Sequence, residues 1–305
     1  IGQESIKNNL KILLLAAKKR GHIPEHILFY GPPGLGKTTL AHLIAHETGR
    51  VLKITSGPAI ERVADLASIL TNLQVGDILF IDEIHRLNKM IEEVLYPALE
   101  SGVLHIVIGK GPSARTVELN LSGFTLIAAT TRISLMSAPL RSRFSGGVHH
   151  LEFYSDTEIA KILENSAGKL SIGLQPDAYL EIAKRSRKTP RTANYLLKRV
   201  RDYAEITYPD QPITSSIVRE ALDMIGIDSY GLSGTDRKLL DVLINNFNGG
   251  PVGIKTLAAG TGEEESTIED VIEPYLIQTG FIEKTMRGRI ALPKAYEHLG
   301  LEKPL

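Results

Sequence analysis

Ile27-Leu28-Phe29-Tyr30-Gly31-Pro32-Pro33-Gly34-Leu35-Gly36-Lys37-Thr38 is the stretch that decides the fold. Its first four residues are apolar and read as a buried strand, and the pattern over residues 38–47 reads as a helix. The link from Gly31 to Thr38 has the form of a phosphate-binding loop. Its glycines let backbone N–H groups converge on phosphate oxygens, and the helix N-terminus adds a positive end. Lys37 is placed to reach the β- and γ-phosphates of a nucleoside triphosphate, and Thr38 to ligate Mg²⁺. A glycine-rich loop can be merely structural; the strand before this one and the helix after it favour the phosphate site.

Outward from this loop, residues 51–55, 78–81 and 125–129 are further short apolar runs, with a helical pattern over 89–99. Strands alternating with helices predict an α/β domain with a parallel sheet covered on both faces. Residues 104–108 and 115–121, split by Gly109-Lys110-Gly111-Pro112, predict an inserted hairpin. The run 78–81 ends in Asp82-Glu83. Two acids after a strand are by themselves usually a helix cap or a solvated edge. Some 45 residues after a phosphate loop, they read as an Mg²⁺-holding Asp82 and a general base, Glu83. Ala128-Ala129-Thr130-Thr131-Arg132 ends the run 125–129 with a hydroxyl that either orients the lytic water or contacts the γ-phosphate, or only reflects strand propensity. Arg141 and Arg143 precede a last strand over 148–153; Arg suits a phosphate in transit, and for Arg141 surface ion pairing is an equal reading.

From residue 155 the strand pattern stops. Residues 155–227 predict a small helical domain, opened by a Ser155-Asp156-x-Glu158 helix start. Residues 228–305 predict three short helices and a hairpin around Met286-Arg287-Gly288, a winged helix-turn-helix, after a linker at 231–234. The chain is thus divided into domains at 1–154, 155–227 and 228–305. Its 305 residues carry 35 basic and 35 acidic side chains, but the charge is arranged: net +3, +1 and −4 in the three domains. Residues 184–201 hold eight basic residues and no acid. Arg191, in the first turn of a helix there, opposes the helix dipole and implies a local anion; the other basic residues read as a solvated face or subunit contact. The absence of cysteine excludes disulfides and thiolate chemistry. No apolar run near the start approaches the roughly 20 residues of a membrane span. A chain beginning with Ile1 is expected to lack some native N-terminus.

Together these motifs resemble the AAA+ ATPases. More narrowly, GPPGLGKTTLAHLIA (from Gly31), GDILFIDEIHRLNK (from Gly76), LIAATTRISLMSAPLRSRF (from Leu126), TPRTANYLLKRVRDYA (from Thr189) and GGPVGIKTLAAGTGE (from Gly249) resemble the bacterial RuvB family over essentially the whole chain. The resemblance implies an AAA+ P-loop sheet domain, a helical lid and a winged-helix head. It implies an ATP-driven, Mg²⁺-dependent DNA motor for Holliday-junction branch migration in recombination and repair, cytoplasmic, and a ring, six-membered in expectation, around double-stranded DNA. Gly34, Gly36, Lys37, Thr38 and Thr39 would hold ATP, and Thr131 would be the first sensor. Arg143 would be an arginine finger acting on a neighbour's ATP, and Arg191 the second sensor in cis. Tyr154, Pro190 and Ile1 would flank the adenine. The hairpin around Gly109-Pro112 would dock the partner RuvA, and Lys284, Arg287 and Arg289 would touch DNA. The chain departs from the family at Ser145-Gly146-Gly147-Val148-His149-His150, which is longer and more polar and leaves the last strand's start open. Met286 and Lys284 replace the family's usual Pro and Arg in the wing. Rival readings are another DNA-associated AAA+ ATPase of clamp-loader type, or a winged-helix regulator with an ATP switch.

Overall fold

The computed structural model describes residues 1–108 and 115–302. It divides into two compact units, one of residues 3–31 and 35–152, the other of residues 1–2, 32–34 and 153–305.

The first unit runs α1 (Glu4–Arg20), β1 (Ile27–Tyr30), α2 (Lys37–Thr48), β2 (Leu52–Ser56), α3 (Val63–Thr71), β3 (Ile78–Asp82) and α4 (Lys89–Glu100). It continues through β4 (Val103–Ile108), β5 (Arg115–Asn120), β6 (Thr125–Thr130), α5 (Ala138–Arg141) and β7 (Val148–His150). Five strands form one sheet in the order β2-β3-β6-β1-β7, every neighbouring pair parallel. Its three middle strands are buried on both faces, with Phe29, Phe80 and all of β6 inaccessible or nearly so. Each large apolar side chain so enclosed contributes about 1.5–3 kcal/mol. Parallel pairing puts every strand's carboxyl end at one edge, with Tyr30 beside Thr130 and Asp82 beside Ser56. β4 and β5 form the predicted antiparallel hairpin outside this sheet; the expected docking turn at 109–112 lies outside the described residues.

The polar departure before the last strand is absorbed by glycine. β7 starts at Val148, opposite Leu28, and ends at His150 rather than at residue 153. The Gly146 N–H donates to His26 O, and a Cβ there would lie 2.8 Å from that oxygen. Gly147 has φ 114°, which only glycine adopts freely. Helices α1 and α3 have no counterpart in the sequence reading. α1 buries only Ile6, Leu10 and Ala17 and ends in Lys18-Lys19-Arg20 before a left-handed Gly21, a polar surface helix with a thin apolar stripe.

The second unit holds α6 (Asp156–Leu170), α7 (Pro176–Arg185), α8 (Pro190–Thr207) and α9 (Ser215–Met224). It then has α10 (Gly234–Asp241), α11 (Ile254–Thr261), α12 (Glu265–Thr267), α13 (Glu273–Gln278), β8 (Ile282–Thr285), β9 (Gly288–Ala291) and α14 (Pro293–His298). The α6 start is the predicted cap: Ser155 Oγ accepts from Glu158 N–H, and Glu158 accepts from Ser155 N–H at 2.8 Å. The two longer head helices are less regular than their sequence pattern. α10 passes into a π-helical turn, Val242–Asn246, and a second, Ile268–Ile272, joins α12 to α13. The stretch expected as a linker is a packed turn. A Cβ on Gly231 would lie 2.5 Å from Arg185 O, and Asp228 receives Leu232 N–H, Arg237 and His298. This packing makes the four-helix lid and the winged head one unit.

Candidate functional site

The phosphate side of the site is built at the carboxyl edge of the parallel sheet. Lys37 opens α2 and is buried, its ammonium donating to Gly31 O at 2.7 Å. Gly31 and Gly36 have φ 139° and 98°, and a Cβ on Gly31 would meet Leu151 O at 2.6 Å. The first turn of α2 has no side-chain cap and no acid, so its free amide ends form an anion cradle. A nucleoside triphosphate fits these donors, and the oxygen donors Thr38 and Asp82 suit Mg²⁺.

At the end of β3, one Asp82 carboxylate oxygen accepts from Glu83 N–H at 3.0 Å. Glu83 has left-handed backbone, φ 48°, which turns its side chain out of the strand direction. Gly57 permits this turn: a Cβ there would lie 2.3 Å from Glu83 O. Thr131, just past β6, donates its hydroxyl to Glu83 Oε2 at 3.1 Å. Glu83 and Thr131, 48 residues apart, are thus brought into contact. Sequence reasoning missed His85, whose Nδ1 lies 3.1 Å from Glu83 Oε2 and 2.9 Å from Thr130 Oγ1; a single histidine two residues after a motif carries no spacing signal.

Arg143, in the turn after α5, lies over the Tyr96 ring at 5.0 Å and donates to Glu100 Oε2 at 3.0 Å and Pro139 O at 2.9 Å. It borders a groove of about 540 Å³ lined also by His26, Glu100 and Phe124. Its partner Glu100 is well exposed, and an exposed pair of this kind is worth about 0–1 kcal/mol. The Glu100 pair therefore adds little to holding a guanidinium that also bonds Pro139 O and lies over the Tyr96 ring.

The second unit carries the other predicted residues. Tyr154 is buried, donates its N–H to Lys188 O at 3.0 Å, and faces Gly2, where a Cβ would come within 2.5 Å of the ring. Ile1, beside Gly2, is 46% exposed. Pro190 and Arg191 form the first turn of α8, capped by Thr189. The Arg191 N–H donates to Gly34 O at 3.3 Å, and a Cβ on Gly34 would touch Arg191 Cβ at 2.9 Å. Among the described residues no acid pairs with the Arg191 guanidinium. The rest of the basic stretch is largely neutralised. Arg185 pairs with Glu181 and Asp223, Arg199 and Arg201 with Asp202, and Arg187 bonds Val271 O and lies over the Tyr275 ring.

The wing differs from expectation at one residue. Arg287 stands exposed at the hairpin tip beside a fully exposed Met286. Arg289, expected to touch DNA beside it, is instead only 6% exposed. Its guanidinium forms a two-pronged bond to the buried Glu273 and a third bond, 3.1 Å, to Glu269. Arg287 lies in the turn, before β9 begins, whereas Arg289 lies on β9 opposite Lys284, on the face where Glu269 and Glu273 receive both side chains. Lys284 is exposed and pairs with Glu269 at 3.2 Å.

Three family models match in sequence order. The RuvB P-loop domain of the Holliday junction DNA helicase matches residues 1–151, the RuvB AAA lid domain residues 154–228, and the RuvB C-terminal winged helix domain residues 229–300. The Holliday junction branch migration complex subunit RuvB of Chloroflexus aurantiacus is 55% identical over 304 residues, covering 100% of this chain and 86% of that protein. The RuvB subunit of Chloroflexus aggregans has the same identity and coverage. The solved Thermotoga maritima RuvB Holliday junction branch migration motor is 46% identical, with a TM-score of 0.90 over 100% of this chain and 96% of that one.

Proposed function

The chain belongs to the RuvB family, P-loop ATPases that drive branch migration of Holliday junctions, and from this we propose how its residues divide the work. Lys37 and the amides of the phosphate loop bind and orient the ATP phosphates. Thr38 and Asp82 would hold Mg²⁺, which when bound withdraws charge from the β- and γ-phosphate oxygens. Glu83 accepts a proton from the attacking water, with Thr131 fixing its carboxylate. Thr131 also senses the γ-phosphate as the first sensor. Arg143 reaches the ATP of a neighbouring subunit in a ring of six, contributing roughly 10³–10⁵ in rate. Arg191 contacts the phosphates in cis as the second sensor, while Ile1, Tyr154 and Pro190 flank the adenine, and Thr39 completes the phosphate cradle. The lid and head, residues 155–227 and 228–305, then carry the nucleotide's state to duplex DNA held by Arg287 and Lys284. RuvA is the partner, docking at the hairpin around Gly109-Pro112, and the motor works in the cytoplasm with its DNA.

The observation that carries this division is the Thr131–Glu83 hydrogen bond at the end of the phosphate-loop sheet. It gives the base a fixed direction, as a hydrolase requires and a nucleotide-binding switch does not. The test is a Glu83→Gln variant in ATP-dependent migration of a four-way junction, with and without RuvA. ATP and Mg²⁺ binding should persist while hydrolysis and migration stop. Normal steady-state hydrolysis by the variant would remove Glu83 as the base.

A further inference from the structure

Histidine 85 follows Glu83 in the 3₁₀ turn Ile84–Arg86, just after β3. Its side chain is 9% exposed. The ring nitrogen Nδ1 lies 3.1 Å from Glu83 Oε2. An ionised carboxylate can only accept, so Nδ1 carries the hydrogen. The same nitrogen lies 2.9 Å from Thr130 Oγ1, a fully buried oxygen that also accepts Arg132 N–H at 3.0 Å. Thr131 donates to Glu83 Oε2 from the neighbouring position. A hydroxyl donor from the end of β6 and a ring nitrogen from the turn after β3 therefore lie against one oxygen of Glu83. Oε1 carries neither of these contacts.

We infer that His85 is a positioning residue for ATP hydrolysis: through its Nδ1, 3.1 Å from Oε2, it holds the Glu83 carboxylate in the direction from which it takes the proton of the attacking water. The inference rests on Glu83 being the base. The backbone of Glu83 is left-handed and makes no helix or strand that would set its side chain. Its rotamer must be set by partners, and Thr131 alone supplies one bond about which the carboxylate can still swing. His85 removes that freedom, anchored in turn by the buried Thr130. A misplacement of a catalytic group by about 1 Å can cost ~10²-fold in rate, so a loss of one of two anchors should cost ~10–100-fold.

The test uses the full chain with DNA, reading kcat, KM for ATP, and binding of a fluorescent ATP analogue. Asparagine places an N–H near the position of Nδ1, whereas glutamine places it further out, near Nε2. His85→Ala and His85→Gln should lower kcat by ~10–100-fold with KM and analogue affinity within about twofold of the starting protein. His85→Asn should recover most of that loss. In a Glu83→Gln background, His85→Ala should cost nothing more in single-turnover hydrolysis, because residues acting as one unit are non-additive. Wild-type kcat in His85→Ala overturns the inference, as does equal impairment of the Asn and Gln variants, which would mean packing alone. A further loss in the Glu83→Gln background also overturns it. If Glu83→Gln by itself turns over ATP normally, the base assignment fails, whatever the His85 variants do. Should the Ala variant fold poorly, as judged by its melting curve, the Asn–Gln comparison decides.

Discussion

His26 shows what a single buried side chain contributes to this fold. Its Nδ1 accepts Leu126 N–H at 2.9 Å, so Nε2 carries the hydrogen and donates to Leu99 O at 3.1 Å. One neutral ring thus joins β6 to the end of α4, beside Phe124. Burial pushes its pKa below the usual histidine value of 6.5, against a smaller opposing effect of the Leu99 bond. Protonation would also place a second hydrogen against Leu126 N–H. A depressed histidine pKa stabilises the fold above the unfolded value and loses that contribution as pH falls from 6.5 through the folded value. Thermal melting should therefore drop between pH 7.5 and 5.5. His26→Phe keeps the ring contact but orphans Leu126 N–H, lowering stability by about 1–3 kcal/mol at pH 7.5. It should also flatten that acid limb. An acid limb unchanged in the variant would assign it to other groups.

The wing hairpin separates two arginines that look equivalent in sequence. Arg287 lies in the solvent-exposed turn between β8 and β9, and Arg289 belongs to the buried pair with Glu273. Arg287→Ala should leave melting unchanged and weaken binding of duplex DNA at all sequences. The slope of log K against log salt should become shallower by about one unit, the loss of one phosphate contact. Arg289→Ala should instead strand a buried carboxylate and destabilise the head by about 3–5 kcal/mol. Any DNA effect of that variant would come with a lower melting temperature. Equal salt slopes for the starting protein and Arg287→Ala would take the wing tip off the DNA. The hairpin shows how a two-residue step across a turn converts a surface charge into a core one.

At the scale of the molecule, the decisive property is whether active sites are shared between subunits. Arg143 bonds Glu100 and Pro139 O and lies over the Tyr96 ring, and among the described residues none of these partners belongs to the Glu83–Thr131 cluster. Arg143→Ala should bind ATP almost normally yet hydrolyse it about 10³-fold or more slowly. Lys37→Ala should lose its own site but retain the finger. Mixing the two should restore part of the DNA-stimulated ATPase, through interfaces that pair an intact phosphate loop with an intact Arg143. Arg143→Ala turning over ATP at the starting rate while assembled on DNA would refute sharing.

The sequence by itself determined the scaffold and the ends of the catalytic strands. Short apolar runs bounded by turn residues read as strands, a glycine-rich loop between strand and helix makes a phosphate cradle, and Asp82-Glu83 follows from a strand ending at the ligand edge. These signals are local, written within a dozen residues. Only tertiary structure decided which distant groups meet. It set Thr131 and His85 on one oxygen of Glu83 and turned Arg289 into the head while leaving Arg287 outside. It drew Arg185 and Arg187 out of a basic run into internal bonds, and closed the supposed linker at Gly231 into a turn. The reason is that a side chain's partner depends on which strand ends lie side by side and which face of a strand or helix is covered. That is fixed by the order β2-β3-β6-β1-β7 and by the packing of α13 on the wing, not by neighbours in the chain.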